Sequence, residues 1–330
     1  MKVYSDYKKY KSALISSTCP ISYHNFWDGQ SADEIWFTSF LRDRGFLSKY
    51  PNAHFSFFSN LGDVHVLRVD EMLHPINRHW KRIFFTGENI HYEVFSDYEN
   101  HLLDHKSIDI ALGFDAVDDE RYLRFPLWIL EMFPPQSSAN QIFNICNALS
   151  HQKLENTRNR FCAMVAGGGA SLLSEHLLLR KSMVDSLSII SKVDCAGRFL
   201  RNTNDLQTLF NDDKAEFLKC YKFFICPENT SVEGYVTEKV FHSIGSGCIP
   251  IYRGSLNNPE PDVLNHDAIL FWEKDADNAQ LIKNVDELWN NPNLYKEFFE
   301  QSRLLPTAWE VVAYYFDSLE QKIHEICRNS

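Results

Sequence analysis

The chain has 330 residues, of which 44% are hydrophobic, and a formal net charge of −11 at pH 7. This length predicts two domains, because a single domain usually comprises about 100–200 residues. The negative charge argues against a nucleic-acid partner, since binding phosphate backbones requires a basic face. A local basic pocket for one small phosphate ligand stays compatible with this composition.

Segments that would direct the chain to a membrane are not found in the sequence. Its apolar runs fall short of the roughly 18–20 residues that cross a bilayer. The first 17 residues lack the apolar core of a signal peptide. We therefore expect a cytoplasmic protein with no transmembrane segment, and leave open whether an anchor belongs to a longer protein. The eight cysteines form no Cys-x-x-Cys pair, which favours reduced core residues over zinc or redox sites.

Short apolar segments in the first half have the length and the aromatic or β-branched content of strands. Helical or polar stretches separate them, which indicates βα units rather than hairpins. The segment 126–133 fits a buried helix or a strand equally well. The predicted strands lie within residues 52–60, 81–89 and 108–115.

A polar stretch at residues 135–160 predicts the boundary between two domains, 1–150 and 151–330. After it, strands and amphipathic helices alternate again. The whole pattern predicts an α/β protein with two domains, each built on a mainly parallel sheet. The predicted strands of the second half are 161–166, 192–197, 222–227 and 248–252, and the helices between them include 171–190 and 212–221.

The last predicted helix begins after Pro306, where Thr307 and Glu310 form a capping box. Its apolar residues recur every three or four positions, so they share one face. We expect this face to pack on its own chain, and a dimer contact is the alternative. The face comprises Trp309, Val312, Phe316, Leu319, Ile323 and Ile326.

The segment 226–255, CPENTSVEGYVTEKVFHSIGSGCIPIYRGS, combines polar chemistry with two flanking apolar strands. In an open parallel sheet, ligands bind outside the carboxyl ends of the strands. Thr237 is a plausible N-cap of the following helix, whose N-terminus attracts phosphate together with Lys239. The Glu238 carboxylate suits sugar hydroxyls, to which it accepts hydrogen bonds. These residue types predict a nucleotide-sugar site.

A plainer interpretation makes Glu238 an ordinary helix-start acid and Lys239 a solvated surface residue. It is weakened because several other polar residues converge on the same strand-to-helix loop. These residues are Glu228, Asn229 and Tyr235.

At these residues the sequence resembles the donor-binding signature of the α-1,3/4-fucosyltransferases, glycosyltransferase family 10. Four further segments match the family in its order and extend the resemblance from about Asn25 to Ser255. Within the family, the sequence is most similar in type to the bacterial members that have no membrane anchor. The segments are NFWDG at 25–29, FFTGENI at 84–90, ALGFD at 111–115 and RYLRFPLW at 121–128.

The resemblance implies GT-B architecture, in which two Rossmann-like domains face each other across a cleft. Domain 1–150 would bind the acceptor and domain 151–330 would bind GDP-fucose. The implied activity is inverting transfer of L-fucose from GDP-β-L-fucose to a hydroxyl of a glycan. We expect O3 of N-acetylglucosamine or glucose in a lactose, N-acetyllactosamine or lipopolysaccharide-type acceptor, with O4 as the open alternative. The implied location is cytoplasmic, at most peripheral to the inner membrane.

The family motifs also imply roles for individual residues. Tyr235, Glu238 and Lys239 match the Tyr-x-Thr-Glu-Lys donor motif, and Glu228 and Asn229 match its Glu-Asn pair. Arg201 in FLRNT matches the arginine that reaches the diphosphate, and Arg180 matches an arginine near the head of the first donor-domain helix. Glu88 in FTGEN matches the general base, although a carboxylate just past a strand can also be a plain capping acid. The apolar neighbours Phe84 and Phe85 would raise its pKa.

Three departures from the family pattern bear on these roles. Pro227 stands where an aromatic residue is common, and the loop 166–171 replaces a more polar one. The family's bacterial tail of heptad repeats and basic helices is absent from this sequence. Gly167, Gly168 and Gly169 in the loop match neither a P-loop nor a dinucleotide fingerprint.

We expect no metal cofactor, and only modest stimulation by manganese or magnesium. Asp275 and Asp277 spell Asp-x-Asp, but they stand at a predicted helix start, where acids are common. Lys239 and Arg201 already supply counter-charges for a diphosphate. Two other functions stay open: a GT-B transferase that uses another nucleotide sugar, and a non-catalytic nucleotide- or glycan-binding protein.

Overall fold

A computed structural model describes residues 14–26, 31–61, 80–154, 158–167 and 175–328. Trp27, Asp28 and Gly29 of the motif at 25–29 lie outside the described residues, as do Gly168 and Gly169. The chain divides into two compact units. Unit 1 is Met1–Ile142 with Val312–Ser330, and unit 2 is Phe143–Val311.

Unit 1 is built on a six-stranded sheet in the order β1-β2-β3-β4-β5-β6. Every pair is parallel except β1 with β2. The strands are β1 (Leu14–Ile15), β2 (Ile21–His24), β3 (His54–Ser59), β4 (Trp80–Phe85), β5 (Ile110–Gly113) and β6 (Tyr122–Arg124). The helices are α1 (Trp36–Asp43), α2 (Phe46–Lys49), α3 (Leu127–Met132) and α4 (Ala139–Ser150), the last of which continues into unit 2, with a 3₁₀ segment at Glu93–Leu102.

Unit 2 is built on a five-stranded, fully parallel sheet in the order β11-β10-β9-β7-β8. The strands are β7 (Arg160–Met164), β8 (Val193–Cys195), β9 (Tyr221–Ile225), β10 (Ile249–Tyr252) and β11 (Leu270–Phe271). The helices are α5 (Glu175–Leu187), α6 (Asp205–Thr208), α7 (Lys214–Leu218), α8 (Glu238–Gly245), α9 (Ala279–Asn290), α10 (Pro292–Phe299) and α11 (Ala308–Arg328), the last of which continues into unit 1. Short 3₁₀ segments lie at Ser255–Asn257 and His266–Ala268.

The predicted strands are confirmed, and their continuous apolar character follows from parallel sheets being buried on both faces. The undecided segment 126–133 contains helix α3. The first division between the two units falls after Ile142, within the polar stretch 135–160, and the centre of this stretch forms helix α4. This helix buries Ile142, Cys146 and Leu149 on one side, so a largely polar composition hid a narrow apolar stripe.

Helix α11 packs on its own chain, as expected for its apolar face, but mostly in unit 1. The Phe316 ring lies 5.6 Å from that of Trp36 and 6.2 Å from that of Phe40. An ion pair joins Arg44 to Glu320 at 2.9 Å. The division therefore differs from the predicted domains 1–150 and 151–330, because the end of the chain returns to the first unit.

Removing the Phe316 ring should therefore destabilise unit 1. The ring is 1% exposed, and Phe→Ala changes in cores typically cost about 3–5 kcal/mol. We expect Phe316→Ala to lower the free energy of unfolding by about that amount in urea titrations followed by circular dichroism. Tyr314→Ala is the control, because Tyr314 lies on the same helix but is mostly exposed, and its effect should stay within about 0.5 kcal/mol. Equal effects of the two variants would contradict the packing of α11 on unit 1.

Candidate functional site

A cavity of about 360 Å³ opens at the carboxyl ends of β7 and β9 in unit 2. Its walls come from the segments that follow these two strands and from helices α5, α7 and α8. The lining residues are Met164, Val165, Ala166, Gly167, His176, Arg180, Lys214, Phe224, Ile225, Cys226, Pro227, Asn229, Glu238 and Lys239.

The position of this cavity follows from the order of the strands. The chain passes from β7 to β8 on one side and then to β9, β10 and β11 on the other. The connections after β7 and β9 therefore leave the sheet in opposite directions and open a crevice between them. Ligands of open α/β sheets bind at such a switch point.

Arg180 on α5 reaches across this crevice to the loop after β9. Its Nη2 donates to the Pro227 carbonyl oxygen at 3.2 Å and to Asn229 Oδ1 at 3.0 Å. Burial lowers the pKa of the guanidinium, and the nearby Glu228 carboxylate opposes that shift. Both hydrogen-bond acceptors are neutral, so the positive charge of Arg180 is directed into the cavity without being paired by them.

Glu238 and Lys239 form the first turn of α8, as predicted, and Thr237 is the N-cap residue. Lys239 Nζ lies 3.2 Å from Glu228 Oε2, 2.7 Å from Thr237 Oγ1 and 3.6 Å from Glu238 Oε1. Burial lowers the pKa of Lys239, but the carboxylates of Glu228 and Glu238 outweigh it and the pKa is raised. Lys239 therefore carries its charge at neutral pH.

Glu238 is a charged carboxylate in the wall of the cavity. Its burial raises the pKa, but the ammonium groups of Lys239 and Lys214 outweigh that effect, so the pKa is lowered. An ionised carboxylate accepts hydrogen bonds only, which suits a ligand hydroxyl.

Glu228, predicted among the donor-binding residues, lies buried beside the first turn of α8. Its side chain has no exposed surface, and it does not belong to the lining of the cavity. Its oxygens accept hydrogen bonds from the Thr237 backbone N–H and hydroxyl, at 2.9 and 2.6 Å. The Tyr252 hydroxyl lies 3.5 Å from Oε1. The carboxylate is oriented inward because these donors surround it.

Tyr235 and Arg201 are also set apart from the lining of the cavity. Tyr235 is buried, close enough to Arg180 to influence the pKa of its guanidinium. Arg201 is exposed and donates to Gln207 Oε1. The structure thus brings Arg180, Asn229, Glu238 and Lys239 together in one cavity, with Glu228 and Tyr235 buried and Arg201 outside it.

Two ionisable residues of the lining were not predicted, namely His176 and Lys214. His176 precedes Arg180 by one helical turn on α5, and this i, i+4 spacing was the available signal. Lys214 Nζ lies 3.2 Å from Nδ1 of His242, which belongs to helix α8. Burial, assisted by the Lys214 charge, lowers the pKa of His242 to about 4. His242 is therefore neutral at pH 7 and its Nδ1 can accept from Lys214.

Glu88 lies in unit 1, in the loop after β4, and is half-buried. Its backbone N–H donates to the Thr86 hydroxyl at 3.2 Å, and that hydroxyl lies 2.8 Å from Asn60 Oδ1. The backbone of the loop is therefore held by buried polar contacts. Glu88 stands at the carboxyl edge of the sheet, as predicted.

Asp115, two residues after the end of β5, is another carboxylate of unit 1 near the carboxyl edge of the sheet. Its Oδ2 lies 2.8 Å from Nε2 of His101 and 3.0 Å from Nε2 of His91. Burial raises its pKa, but these hydrogen bonds outweigh the effect and the pKa is lowered. A carboxylate stabilised in this way is a weaker base than a free one.

Asp275 and Asp277 lie at the start of α9, where Asp277 Oδ1 accepts from the Ala279 N–H at 3.0 Å. Asp277 thus makes a local turn contact just before the helix. Among the residues that the structure describes, no group of three or more His, Cys, Asp or Glu side chains could hold a metal ion. None of the described helices combines the length and apolar character needed to cross a bilayer.

Comparison with known proteins matches both halves of the chain to one family. Residues 170–329 match the C-terminal model of glycosyltransferase family 10 (fucosyltransferase), and residues 21–131 match the N-terminal domain of α-(1,3)-fucosyltransferase FucT. The α-(1,3)-fucosyltransferase FucT of Helicobacter pylori is 32% identical over 267 residues, which cover 73% of this chain and 51% of that protein. The chain spans about half or less of the length of the curated relatives it matches.

Solved structures show the same architecture. A crystal structure of an α1,3-fucosyltransferase aligns with a TM-score of 0.57 at 22% identity, covering 93% of this chain and 92% of that one. An α1,3-fucosyltransferase crystallised with GDP-fucose aligns with a TM-score of 0.53 at 21% identity, covering 88% of each chain. The fold is GT-B, as the sequence resemblance implied. The chain belongs to glycosyltransferase family 10, the α-1,3/4-fucosyltransferases.

Proposed function

We propose that the chain is an inverting α-1,3-fucosyltransferase. It moves L-fucose from GDP-β-L-fucose to O3 of an N-acetylglucosamine or glucose unit in a lactose- or N-acetyllactosamine-type glycan. The observation that carries the proposal is the cavity at the switch point of unit 2, where Arg180 and Lys239 bring two cations to a helix N-terminus. The solved relative with GDP-fucose supports the choice of donor.

The diphosphate of the donor would lie against these cations and the N–H groups of α8. Arg180 and Lys239 are held by hydrogen bonds before any ligand arrives. Such fixed charges stabilise the negative charge that builds on the departing GDP without a cost for reorganising them. Arg201 is proposed to reach the diphosphate as well, after leaving Gln207. Glu238 would accept hydrogen bonds from sugar hydroxyls, and the amide N–H groups of Asn229 would donate to them.

Glu88 is the proposed general base. Inversion requires the acceptor hydroxyl to attack C1 of fucose from the face opposite GDP, while its proton passes to a nearby base. A carboxylate that can take this proton fits the step, and Glu88 follows a strand end in unit 1, apart from the donor cavity in unit 2. The two roles can therefore be tested by separate substitutions.

Product analysis tests the whole proposal. We expect the protein to convert GDP-β-L-fucose and N-acetyllactosamine or lactose into an α-1,3-fucosylated product, with linkage and anomeric configuration determined by NMR. UDP-galactose, GDP-mannose and the type-1 isomer of N-acetyllactosamine serve as comparison substrates. Transfer from a different nucleotide sugar would show that GDP-β-L-fucose is not the donor. Nucleotide binding without transfer to any glycan would point to a binding protein.

Loss of either cavity cation should weaken the donor complex. Arg180→Ala and Lys239→Ala each remove a charge that faces the diphosphate, and losing a charge-assisted hydrogen bond typically costs about 1.5–3 kcal/mol. We expect kcat/KM for GDP-fucose to fall about tenfold or more in each variant, with Arg201→Ala behaving alike. Lys181→Ala, an exposed neighbour of Arg180 on the same helix, is the matched control. Unchanged GDP-fucose affinity in the Arg180 and Lys239 variants would show that GDP-fucose does not bind in this cavity.

Glu88→Gln should slow turnover while leaving the donor complex intact. Glutamine preserves the size of the side chain but cannot take a proton, and general-base catalysis is typically worth about 10²–10⁴-fold. We expect kcat to fall by that factor, the acidic limb of the pH profile to disappear, and the GDP affinity measured by calorimetry to stay unchanged. Glu93→Gln, an exposed acid in the same unit, is the control. If Glu88→Gln keeps near-wild-type turnover at saturating acceptor, another carboxylate must remove the proton of the acceptor hydroxyl.

A further inference from the structure

We infer that Glu228 is a positioning residue, which fixes the Lys239 ammonium and the first turn of α8 without touching the nucleotide sugar. This inference rests on the proposed function, in which Lys239 faces the donor diphosphate. It departs from the role implied by the sequence, where Glu228 was expected among the donor contacts.

The contacts of Glu228 account for both of its oxygens. Oε1 accepts from the Thr237 backbone N–H at 2.9 Å, and the Tyr252 hydroxyl lies 3.5 Å away. Oε2 accepts from the Thr237 hydroxyl at 2.6 Å and from Lys239 Nζ at 3.2 Å. Thr237 is the N-cap of α8, so one carboxylate holds the cap residue and the cation two residues later.

Thr237 links the carboxylate to the ammonium a second time. Its hydroxyl proton goes to Glu228 Oε2, so its oxygen lone pairs are left to accept from Lys239 Nζ at 2.7 Å. An ammonium group has three protons. Two of them are directed at Glu228 and Thr237, while Glu238 Oε1 at 3.6 Å is beyond hydrogen-bond distance. The third proton is thereby directed away from the carboxylate, and Lys239 lines the cavity.

The stem of Glu228 has little freedom to adopt another arrangement. Its backbone N–H donates to the Arg253 carbonyl oxygen at 2.8 Å. A Cβ atom on the adjacent Gly254 would lie 2.5 Å from Glu228 Cγ and 2.5 Å from the Tyr252 hydroxyl. Glycine at 254 thus provides the room that the Glu228 side chain requires, and this close packing restricts its conformation.

The sign of one measurement separates positioning from a simple charge effect. If Glu228 only placed a negative charge beside Lys239, its removal would strengthen the binding of an anionic nucleotide. If it holds Lys239 in place, its removal weakens binding although the site becomes more positive. The first test is therefore Glu228→Gln, with GDP affinity measured by calorimetry and kcat/KM measured for GDP-fucose.

We expect GDP affinity to fall about tenfold in Glu228→Gln, as for the loss of one charge-assisted hydrogen bond. Glu216→Gln is the matched control, because it removes an exposed, ion-paired glutamate of the same unit, and it should bind GDP as the wild type does. Unchanged or tighter binding in Glu228→Gln would overturn the inference.

A double-mutant cycle tests whether Glu228 acts through Lys239. If it does, adding Glu228→Gln to Lys239→Met should cost no more than about twofold further affinity, because the positioned group is already gone. Effects that multiply across the two substitutions would show that Glu228 acts independently of Lys239, against the inference.

Thr237 provides a second route in case Glu228→Gln does not fold, which circular dichroism would reveal. Thr237→Val removes the linking hydroxyl and should weaken GDP binding, whereas Thr237→Ser keeps it and should restore binding to within about twofold of wild type. Equal loss in both variants would overturn the inference.

Crystal structures of wild type and Glu228→Gln without nucleotide test the geometry apart from any activity. We expect Lys239 Nζ to leave Thr237 Oγ1 in the variant. An unmoved Nζ would contradict the inference even if the protein proves to transfer fucose. Two results together would refute the proposed function but not this inference. They are a wild-type protein that binds no GDP, and a Lys239 Nζ that is displaced in the Glu228→Gln structure.

Discussion

A carboxylate with no exposed surface is the constraint on which the cavity of unit 2 depends. Burying an ionised group costs several kcal/mol unless hydrogen bonds and counter-charges replace its water shell. For Glu228 these partners come from the Thr237 backbone and hydroxyl, Lys239 and Tyr252. The loop after β9, the start of α8 and the end of β10 must therefore assemble together. The same contacts that offset the burial of the carboxylate also fix a cation at the cavity wall.

The two sheets differ in a way that explains why a cavity forms at this edge of unit 2. In unit 1 the strands follow one another in sequence order from β1 to β6. In unit 2 the order reverses around β7, so neighbouring connections diverge and leave an opening. Helix α8 begins beside this opening because β9, which precedes it, is central in the sheet. Strand order thus determines the place of the cavity, and side chains determine its chemistry.

The sequence predicted those parts of this arrangement that are local. Apolar runs marked the strands, and the loop between β9 and α8 contained Asn229, Glu238 and Lys239 in one short segment. The burial of Glu228 was not predictable, because a glutamate normally indicates a surface position and its contacts with Thr237 and Lys239 depend on how the loop folds back onto the start of α8. Lys214 was missed for a similar reason, since it reaches the cavity from a helix with no motif of its own. The return of α11 to unit 1 depends on pairs such as Arg44 and Glu320, 276 residues apart, which no local pattern encodes.

The charge of the chain as a whole says little about this site. A protein with a net charge of −11 repels an anionic ligand at long range, but at physiological ionic strength charges are screened over about 8 Å. Within that distance the cavity presents Arg180, whose hydrogen-bond acceptors are neutral, and Lys239, whose pairing with Glu228 orients it. A negative diphosphate in this cavity would therefore be attracted by the few groups that line it. The Glu228 carboxylate reduces the local positive charge, so its presence is explained better by the geometry it imposes on Lys239 than by electrostatic attraction.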